Sequence, residues 1–261
     1  MRGGCRVSLD RRSWKLTEHT TKAIFEPVTG SEQEHERRLE SALYATFRGL
    51  NLDWKHWVLA LSGGCDSRFS LIMLEKCPCL KCVTWGTKAS LEESDSDAHI
   101  ARHLADERGL LHEFFPVDVS DEPIDRLFDR NLMAMEGRID HLHAAMDGFL
   151  RYKRMHDAGK QGLIRSDEGF GWVPVVSKTD ARKSVGLKLL GDFADSSIPG
   201  AAEMESQEVP DDLRQRPGES LATWRDRLYH EFRIPVILAA LAEGRLCYLE
   251  QANPLVSRRV I

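Results

Sequence analysis

The chain contains 261 residues, of which 42% are hydrophobic and 30% are charged, a balance typical of a globular protein and not of a disordered or fibrous one. Its 36 lysines and arginines stand against 41 aspartates and glutamates, and this acidic balance argues against a nucleic-acid partner. No apolar run approaches the roughly 20 residues that a membrane helix needs, and residues 1–6 do not have the pattern of a signal peptide. We therefore expect a cytoplasmic protein whose six cysteines are reduced.

The first 30 residues show no regular hydrophobic period, and we interpret them as a lead-in to one domain that spans residues 31–261. Ser31 and Glu34 form the signature of a helix start, with the serine as N-cap and the glutamate three residues later. Short apolar runs and helical stripes then alternate. They predict a strand at 57–61, a helix at 69–74, a strand at 80–85, a helix at 95–108 and a strand at 111–117. This alternation predicts an α/β fold with a parallel sheet and right-handed crossovers.

The second half of the chain is more helical. Its pattern predicts helices at 124–134, 142–156 and 224–242, and a short strand at 162–165. Pro235 should kink or interrupt the last of these helices, because proline lacks an N–H and its ring clashes with the preceding turn. Residues 192–220 are polar and rich in proline and glycine, and we interpret them as a mobile loop.

The sharpest motif follows the first strand of the predicted sheet and leads into a helix. It reads Ser62-Gly-Gly-Cys-Asp-Ser67 and lacks the Gly-Lys-Ser/Thr ending of a Walker loop. The two glycines let the backbone approach a ligand closely, while the amides of the turn and of the helix start point to one place. The motif therefore predicts a cradle for a phosphate or a pyrophosphate. Asp66 inside such a cradle would repel the phosphates unless a divalent cation lay between them, which indicates Mg²⁺.

This motif resembles the Ser-Gly-Gly-x-Asp-Ser loop of the PP-loop ATP pyrophosphatases, which cleave ATP between the α and β phosphates. Residues 163–172, Leu-Ile-Arg-Ser-Asp-Glu-Gly-Phe-Gly-Trp, are similar to the Gly-x-Asp-Glu-x-Phe-Gly-Gly-Tyr loop of the asparagine synthetase-like branch. Residues 248–261 look like the Glu-x-x-x-Pro-Phe-Leu-Asp-x-Arg segment of the same branch. The order and spacing of these segments extend the resemblance over residues 31–261. It implies a Rossmann-like, adenine nucleotide alpha hydrolase-like parallel-sheet domain with a helical C-terminal half.

The resemblance implies ATP-dependent adenylation of a carboxylate, release of pyrophosphate, and attack by an amine or ammonia to form an amide. ATP and Mg²⁺ are the implied cofactors, a small carboxylate and an amine are the substrates, and a separate glutaminase or biosynthetic protein is a candidate partner. Asp66 and Asp167 match the metal ligands of the branch, and Glu168 completes the implied catalytic set. The residues implied in cofactor binding are Ser62, Gly63, Gly64, Asp66 and Ser67, together with Trp85 and Gly86 at the strand end that lines the adenine pocket.

The sequence also departs from the branch. Ile164 stands where asparagine synthetases carry an acidic residue, which argues against asparagine as the product. Cys65 takes a variable position of the loop, and we interpret it as a small packing residue. The lysine that those enzymes use against the adenylate follows the segment that ends here at Ile261. Lys183 or Lys188 could in principle substitute for it, although both resemble surface residues of a helix. Because the N-terminal glutaminase domain also has no counterpart, we expect the chain alone to form an amide poorly, and never from glutamine.

Three further groups leave two interpretations open. Asp97 follows the second strand, as an acidic residue does in related synthetases, and a carboxylate on a helix face explains it equally well. Cys77, Cys79 and Cys82 have metal-like spacing without a clear fourth ligand, which favours structural thiols over a metal or iron–sulfur site. Residues 140–143, Asp-His-Leu-His, favour capping and surface roles over a zinc or substrate-facing role.

Two other functions use the same loop. A tRNA-modifying enzyme of the thiolation or lysidine type is disfavoured by the acidic balance, the lack of a basic appendage and the incomplete set of cysteines. The third possible function is a catalytically degenerate ATP-binding subunit. It differs from a ligase in one observation, the release of pyrophosphate from ATP and a carboxylate.

Overall fold

The structure is a computed structural model that describes residues 5–20, 25–117, 122–139, 148–167, 174–193 and 207–261. The chain forms two compact units. The sheet unit comprises Gly30–Gly137, His141–Gly171 and Leu241–Ile261, and the helical unit comprises Met1–Thr29, Arg138–Asp140 and Trp172–Ala240. No helix among the described residues is long and apolar enough to cross a membrane.

An antiparallel hairpin of β1 (Cys5–Asp10) and β2 (Lys15–Thr20) begins the helical unit, where the sequence predicted no regular element. The Asp10 carboxylate stabilises its turn by accepting a hydrogen bond from the Arg12 amide at 2.8 Å. The large apolar side chains of the hairpin are exposed, namely Val7, Leu9, Trp14 and Leu16. Residues 5–10 nonetheless alternate strictly between apolar and polar, as a strand does, so the expectation that the first 30 residues have no regular period was wrong there.

Five parallel strands form the sheet unit's single sheet, so the predicted α/β class with a parallel sheet is confirmed. They are β3 (Trp57–Ala60), β4 (Lys81–Gly86), β5 (Leu111–Pro116), β6 (Gly162–Ile164) and β7 (Glu250–Ala252). Their order is β5-β4-β3-β6-β7, which puts the predicted 57–61 strand at the centre. The strands predicted at 80–85, 111–117 and 162–165 are confirmed, whereas β7 was not predicted because its three residues are polar or small.

Helices alternate with strands from β3 to β5 as the sequence predicted, and the later part of the chain is more helical. In chain order they are α1 (Glu32–Arg48), α2 (Cys65–Leu74), α3 (Asp97–Glu107), α4 (Ile124–Met135), α5 (Gly148–Asp157), α6 (Lys178–Ser184), α7 (Leu221–Leu228) and α8 (Ala239–Leu246). The predicted start of α1 is confirmed, because the Ser31 side chain accepts from the Glu34 amide and the Glu34 side chain accepts from the Ser31 amide. The predicted helix at 142–156 is confirmed from Gly148 onward, and its first residues lie outside the described residues.

The two faces of the sheet bury separate apolar clusters. Leu59, Cys82 and Ile164 pack on one face with residues of α1, α2 and α3. Val58, Val83 and Leu163 point to the other face, where they pack against Tyr152 and Met155 of α5. Successive strand residues point to opposite faces, so helices on both sides turn each strand into a short continuous apolar run. Packing is tight where β3 meets β6, since a Cβ added at Gly162 would overlap the Trp57 indole.

Pro235 does not interrupt the helix that the sequence predicted at 224–242. α7 continues into a π-helical segment, Tyr229–Leu238, which contains Pro235 and leads directly into α8. In an α-helix, a proline ring clashes with a carbonyl of the preceding turn. The wider π-helical turn moves that carbonyl, so the helix accommodates Pro235 without a break.

The predicted loop at 192–220 belongs to the helical unit, and its residues 194–206 lie outside the described residues. Its later part contains a short 3-10 helix, Asp211–Leu213, with a buried leucine at its end. The Trp224 indole N–H donates to the Leu213 carbonyl at 2.8 Å and joins this segment to α7. Together with Ala181, Val185, Leu187 and Leu228, these residues form the core of the helical unit.

Candidate functional site

The carboxyl ends of β4, β3 and β6 lie side by side at the edge where open parallel sheets bind ligands. Leu61 continues the pairing of β3 by donating its amide to the Val83 carbonyl at 2.9 Å. The chain then turns through the Gly63 loop, residues 62–67, and enters α2 at Cys65 with Gly64 as its N-cap. The predicted strand and turn around the Ser-Gly-Gly motif are therefore confirmed, and the helix predicted at 69–74 begins earlier, at Cys65.

The two serine hydroxyls hold the Gly63 loop in shape. The Ser67 hydroxyl accepts from the Ser62 amide at 3.1 Å and lies 3.1 Å from each of the carbonyl oxygens of Ser62 and Gly64. The Ser62 hydroxyl lies 3.0 Å from that of Ser67 and accepts from the Gly64 amide at 3.2 Å. Ser67 is buried, so these contacts form a fixed scaffold behind the loop. The backbone geometry of the loop is built by its own side chains before any ligand arrives.

The Gly63 amide binds an anionic group. It donates to the Asp97 carboxylate at 2.8 Å, a contact between residues 34 positions apart. Asp97 begins α3 behind the Ser96 N-cap. A Cβ at Gly63 would lie 2.9 Å from the terminal Ile100 methyl carbon and 3.1 Å from the Asp97 carboxylate, so these side chains would have to shift. The sequence left the role of Asp97 open, and the structure brings it into direct contact with the loop.

The end of β6 lies next to the Gly63 loop. β6 pairs with β3, and Ser166 after β6 donates its hydroxyl to that of Ser70 on α2 at 2.8 Å. Both serines are buried. Asp167 follows at the same edge, so the segments carrying Asp66 and Asp167 are neighbours, as the sequence predicted. Glu168 lies outside the described residues.

The Asp167 carboxylate is held by two arginines. Arg165 donates to both of its oxygens, at 2.8 Å and 2.6 Å, and Arg245 donates to one of them at 3.3 Å. The Asn253 side chain donates to the Asp167 carbonyl at 3.0 Å and fixes the backbone. Burial raises the pKa of the Asp167 carboxyl, but the two guanidiniums outweigh burial, and the pKa lies below its usual value of 3.8.

This arrangement does not fit a magnesium site built on Asp66 and Asp167 together. Each oxygen of Asp167 accepts from a guanidinium, and a divalent cation placed there would be repelled by both arginines. Within the part of the chain that the structure describes, no group of three or more His, Cys, Asp or Glu side chains forms a metal site. Asp66 is half-buried in the first turn of α2, and its predicted role as a metal ligand stays a prediction.

The end of β4 presents an aromatic ring covered by cations. The Arg151 and Arg165 guanidinium carbons lie 4.6 Å and 5.0 Å from the centroid of the Trp85 ring. Gly86 follows, and its carbonyl accepts from the Val117 amide at 2.8 Å. A Cβ at Gly86 would lie 2.6 Å from the Ser90 hydroxyl, so the strand end approaches its neighbour closely. Trp85 and Gly86 thus lie at the predicted edge, and the predicted adenine pocket stays a prediction.

The buried Tyr152 phenol lies close to positive charges at this edge of the sheet. Tyr152 on α5 is only 4% exposed, and Arg151 donates to its hydroxyl at 3.0 Å. Burial raises the pKa of Tyr152, but the charges of Arg151, Arg245 and Arg165 outweigh burial and lower it to about 8. A phenol with that pKa faces a surplus of positive charge.

Sequence reasoning missed the four residues of this group as a site. Arg165 entered the sequence analysis only as one residue of the 163–172 segment. Arg151, Tyr152 and Arg245 carry no motif, and Arg245 reaches Asp167 across 78 residues of sequence. Only the fold brings them together, so no local signal in the sequence could have found them.

The structure also describes some of the other candidate residues. Cys82 is buried in β4, where burial raises the pKa of its thiol to about 12, and burial also raises the pKa of Cys77. The exposed Cys65 thiol accepts from Arg68 at 3.4 Å. Lys183 and Lys188 are exposed, and residues 140–143 lie outside the described residues.

Comparison with known proteins adds no family to this picture. No model of a protein family matches the sequence, and no curated protein matches it either. The function must therefore be inferred from the three sequence segments and from the geometry of the site.

Proposed function

We propose that this chain is an ATP-dependent ligase of the PP-loop, asparagine synthetase-like type. It would adenylate a carboxylate, release pyrophosphate and form an amide. The observation that carries the proposal is the Gly63 loop: it lies at the carboxyl edge of the sheet, where open parallel sheets bind ligands, and it opens a helix whose first turn favours an anion. The matching order of the 163–172 and 248–261 segments supports the choice of branch.

The proposed reaction has two steps. A carboxylate oxygen of the substrate attacks the α phosphorus of ATP, and pyrophosphate leaves with the electrons of the broken P–O bond. The amine then attacks the acyl adenylate, loses a proton, and displaces AMP as the amide forms. Negative charge develops on pyrophosphate in the first step, and the amides at the start of α2 are the donors that would meet it.

Asp66 is the one described carboxylate to which the proposal assigns Mg²⁺. It would share the cation with phosphate oxygens and water, because Mg²⁺ keeps several waters and takes few protein ligands. The cation would offset the repulsion between Asp66 and the phosphates. Asp167 receives no metal role here, because Arg165 and Arg245 already engage it.

The same engagement favours a second candidate, an ATP-binding subunit without ligase chemistry. A carboxylate that is bound by two guanidiniums is a poor metal ligand. If Asp167 does not help to hold Mg²⁺, the chain would bind ATP without catalysing adenylation. A thiolation enzyme has less support. Cys82 is buried with its thiol pKa at about 12, so it is not a nucleophile at neutral pH.

A screen of ATP–pyrophosphate exchange tests the proposal. The purified chain is mixed with ATP, Mg²⁺ and labelled pyrophosphate, together with one amino acid or small carboxylic acid at a time. A ligase should return label to ATP with at least one acid, and the reaction without an acid is the control. ATP binding with no exchange across the panel would favour the second candidate, and no ATP binding at all would contradict both.

A further inference from the structure

Two buried arginines share one carboxylate at the edge of the sheet. Both Arg165 and Arg245 donate to the same oxygen of Asp167, at 2.8 Å and 3.3 Å. Their side chains are only 12% and 13% exposed. Among the described residues, two guanidiniums thus share one carboxylate. The single negative charge of Asp167 balances only one of the two positive charges.

Like charges in such a position cost free energy that a ligand can recover. Guanidiniums repel each other more strongly where water is excluded. The pKa of Arg245 accordingly lies below its usual value, first because of burial and then because of the Arg165 charge. An anion bound between the two arginines would remove this repulsion and gain charge-assisted hydrogen bonds.

The position of the pair fits ligand binding better than packing. Arg165 directly follows β6, at the carboxyl edge of the sheet, beside the segment that Ser166 ties to α2. The Arg165 guanidinium lies against Trp85, which keeps the plane of its fork fixed. The Nε and Nη2 donors of Arg165 already form a two-point contact with Asp167, so a ligand would meet the remaining donors of Arg165 and those of Arg245.

We propose that Arg165 and Arg245 form an oxyanion-binding site, and that Asp167 is the positioning residue that holds the two arginines together. The ligand is a carboxylate or phosphate group that bears at least one negative charge. The identification of that ligand rests on the proposed function, in which the group is either an acidic end of the substrate or a phosphate released from ATP. Oxyanion binding itself does not require that function to be correct.

Titration calorimetry of the whole chain with two probes separates these sources. Inorganic pyrophosphate and succinate are titrated separately, in EDTA so that no divalent cation takes part. We expect one of them to bind, and we expect Arg165→Met and Arg245→Met each to weaken that binding about tenfold or more. Arg165→Lys keeps the charge but not the fork, and it should give an intermediate loss.

A matched control uses an arginine of the same unit. Arg48 is exposed, and its guanidinium lies 5.7 Å from the centroid of the Tyr44 ring, so Arg48→Met removes a stacked arginine outside the site. It should bind the probe as the wild type does. An equal loss in Arg48→Met would show a general charge effect and would overturn the assignment.

A second readout needs no arginine variant and uses Tyr152→Phe only as the spectral reference. A bound oxyanion adds negative charge beside Tyr152, so probe binding to the wild type should raise the pKa of that phenol. The phenolate absorbance of the wild type, minus that of Tyr152→Phe, measures it with and without probe. A merely structural arginine pair would leave the titration unchanged, and that result would refute the inference even if an arginine variant failed to fold.

The outcomes also separate this inference from the proposed function. If a probe binds at Arg165 and Arg245 and the chain does not bind ATP, the oxyanion site is supported and the proposed ligase function is contradicted. ATP binding with no probe binding, or with binding unaffected in both Met variants, would remove the oxyanion site alone.

Discussion

Tyr152 should ionise near pH 8 in the folded protein, about two pH units below an ordinary tyrosine. The charges of Arg151, Arg245 and Arg165 outweigh burial and lower its pKa from 10.0 to about 8. At about 1.4 kcal/mol per pH unit, this difference corresponds to about 3 kcal/mol in favour of the folded phenolate. Because the folded pKa lies below the unfolded one, the stabilisation is complete above pH 10, and it is lost as the pH falls through 8.

Two measurements check this prediction against Tyr152→Phe. The difference in phenolate absorbance isolates one of the four tyrosines of the chain and should titrate near pH 8. In urea denaturation, the free energy of unfolding of the wild type relative to the variant should rise between pH 8 and pH 10. The charge of Arg151 lowers the pKa most among the three arginines, so Arg151→Met should raise it more than Arg165→Met does. A Tyr152 that titrates at or above pH 10 would refute the positive potential on which this reasoning depends.

Three further predictions follow from contacts of the sheet unit. Asp167→Asn breaks the paired contact with Arg165 and should lower the free energy of unfolding by about 1–3 kcal/mol, an effect that fades in acid where the low pKa of this carboxyl is crossed. Gly162→Ala puts a methyl group into the Trp57 indole and should cost about 1–3 kcal/mol in the same denaturation assay. Cys65→Ala should leave ATP binding within about threefold in calorimetry, because the cradle is made by backbone amides.

Matched variants sharpen these predictions. Asp53→Asn removes an exposed carboxylate that is paired with His56, and it should change stability far less than Asp167→Asn. Gly191→Ala adds a methyl group where no heavy atom lies within 4 Å, and it should leave the stability near that of the wild type. Equal losses in the paired variants would contradict the packing and charge arguments. Loss of ATP binding in a folded Cys65→Ala would instead point to thiol chemistry.

Much of the sheet unit could be predicted from the sequence because its signals are local. The apolar run at 57–61 is the central strand, and the Ser31 and Glu34 pair is a capping box in the structure. The N-terminal hairpin was missed although residues 5–10 alternate between apolar and polar, and β7 could not be predicted. The apolar side chains of the hairpin are exposed, and β7 is held by its pairing with β6 and not by its own three residues.

The candidate site was predictable in part. The Gly63 loop is carried by adjacent residues, and the sequence located both the loop and the neighbouring Asp167. The partner of Asp167 could not be predicted, since a carboxylate two residues after an arginine can face a metal or a guanidinium equally well. That choice depends on Arg245, which the fold brings from 78 residues away.

Calorimetric titration of ATP with Mg²⁺ into the wild type, Gly63→Ala and Gly191→Ala tests the central claim most directly. A Cβ at position 63 would meet the Ile100 methyl carbon at 2.9 Å and the Asp97 carboxylate at 3.1 Å. It should disturb the contact of Asp97 with the Gly63 amide and weaken ATP binding about tenfold or more. The wild type and Gly191→Ala should bind one ATP with equal affinity. No binding by the wild type, or equal binding by a folded Gly63→Ala, would contradict the claim that the Gly63 loop is a nucleotide site.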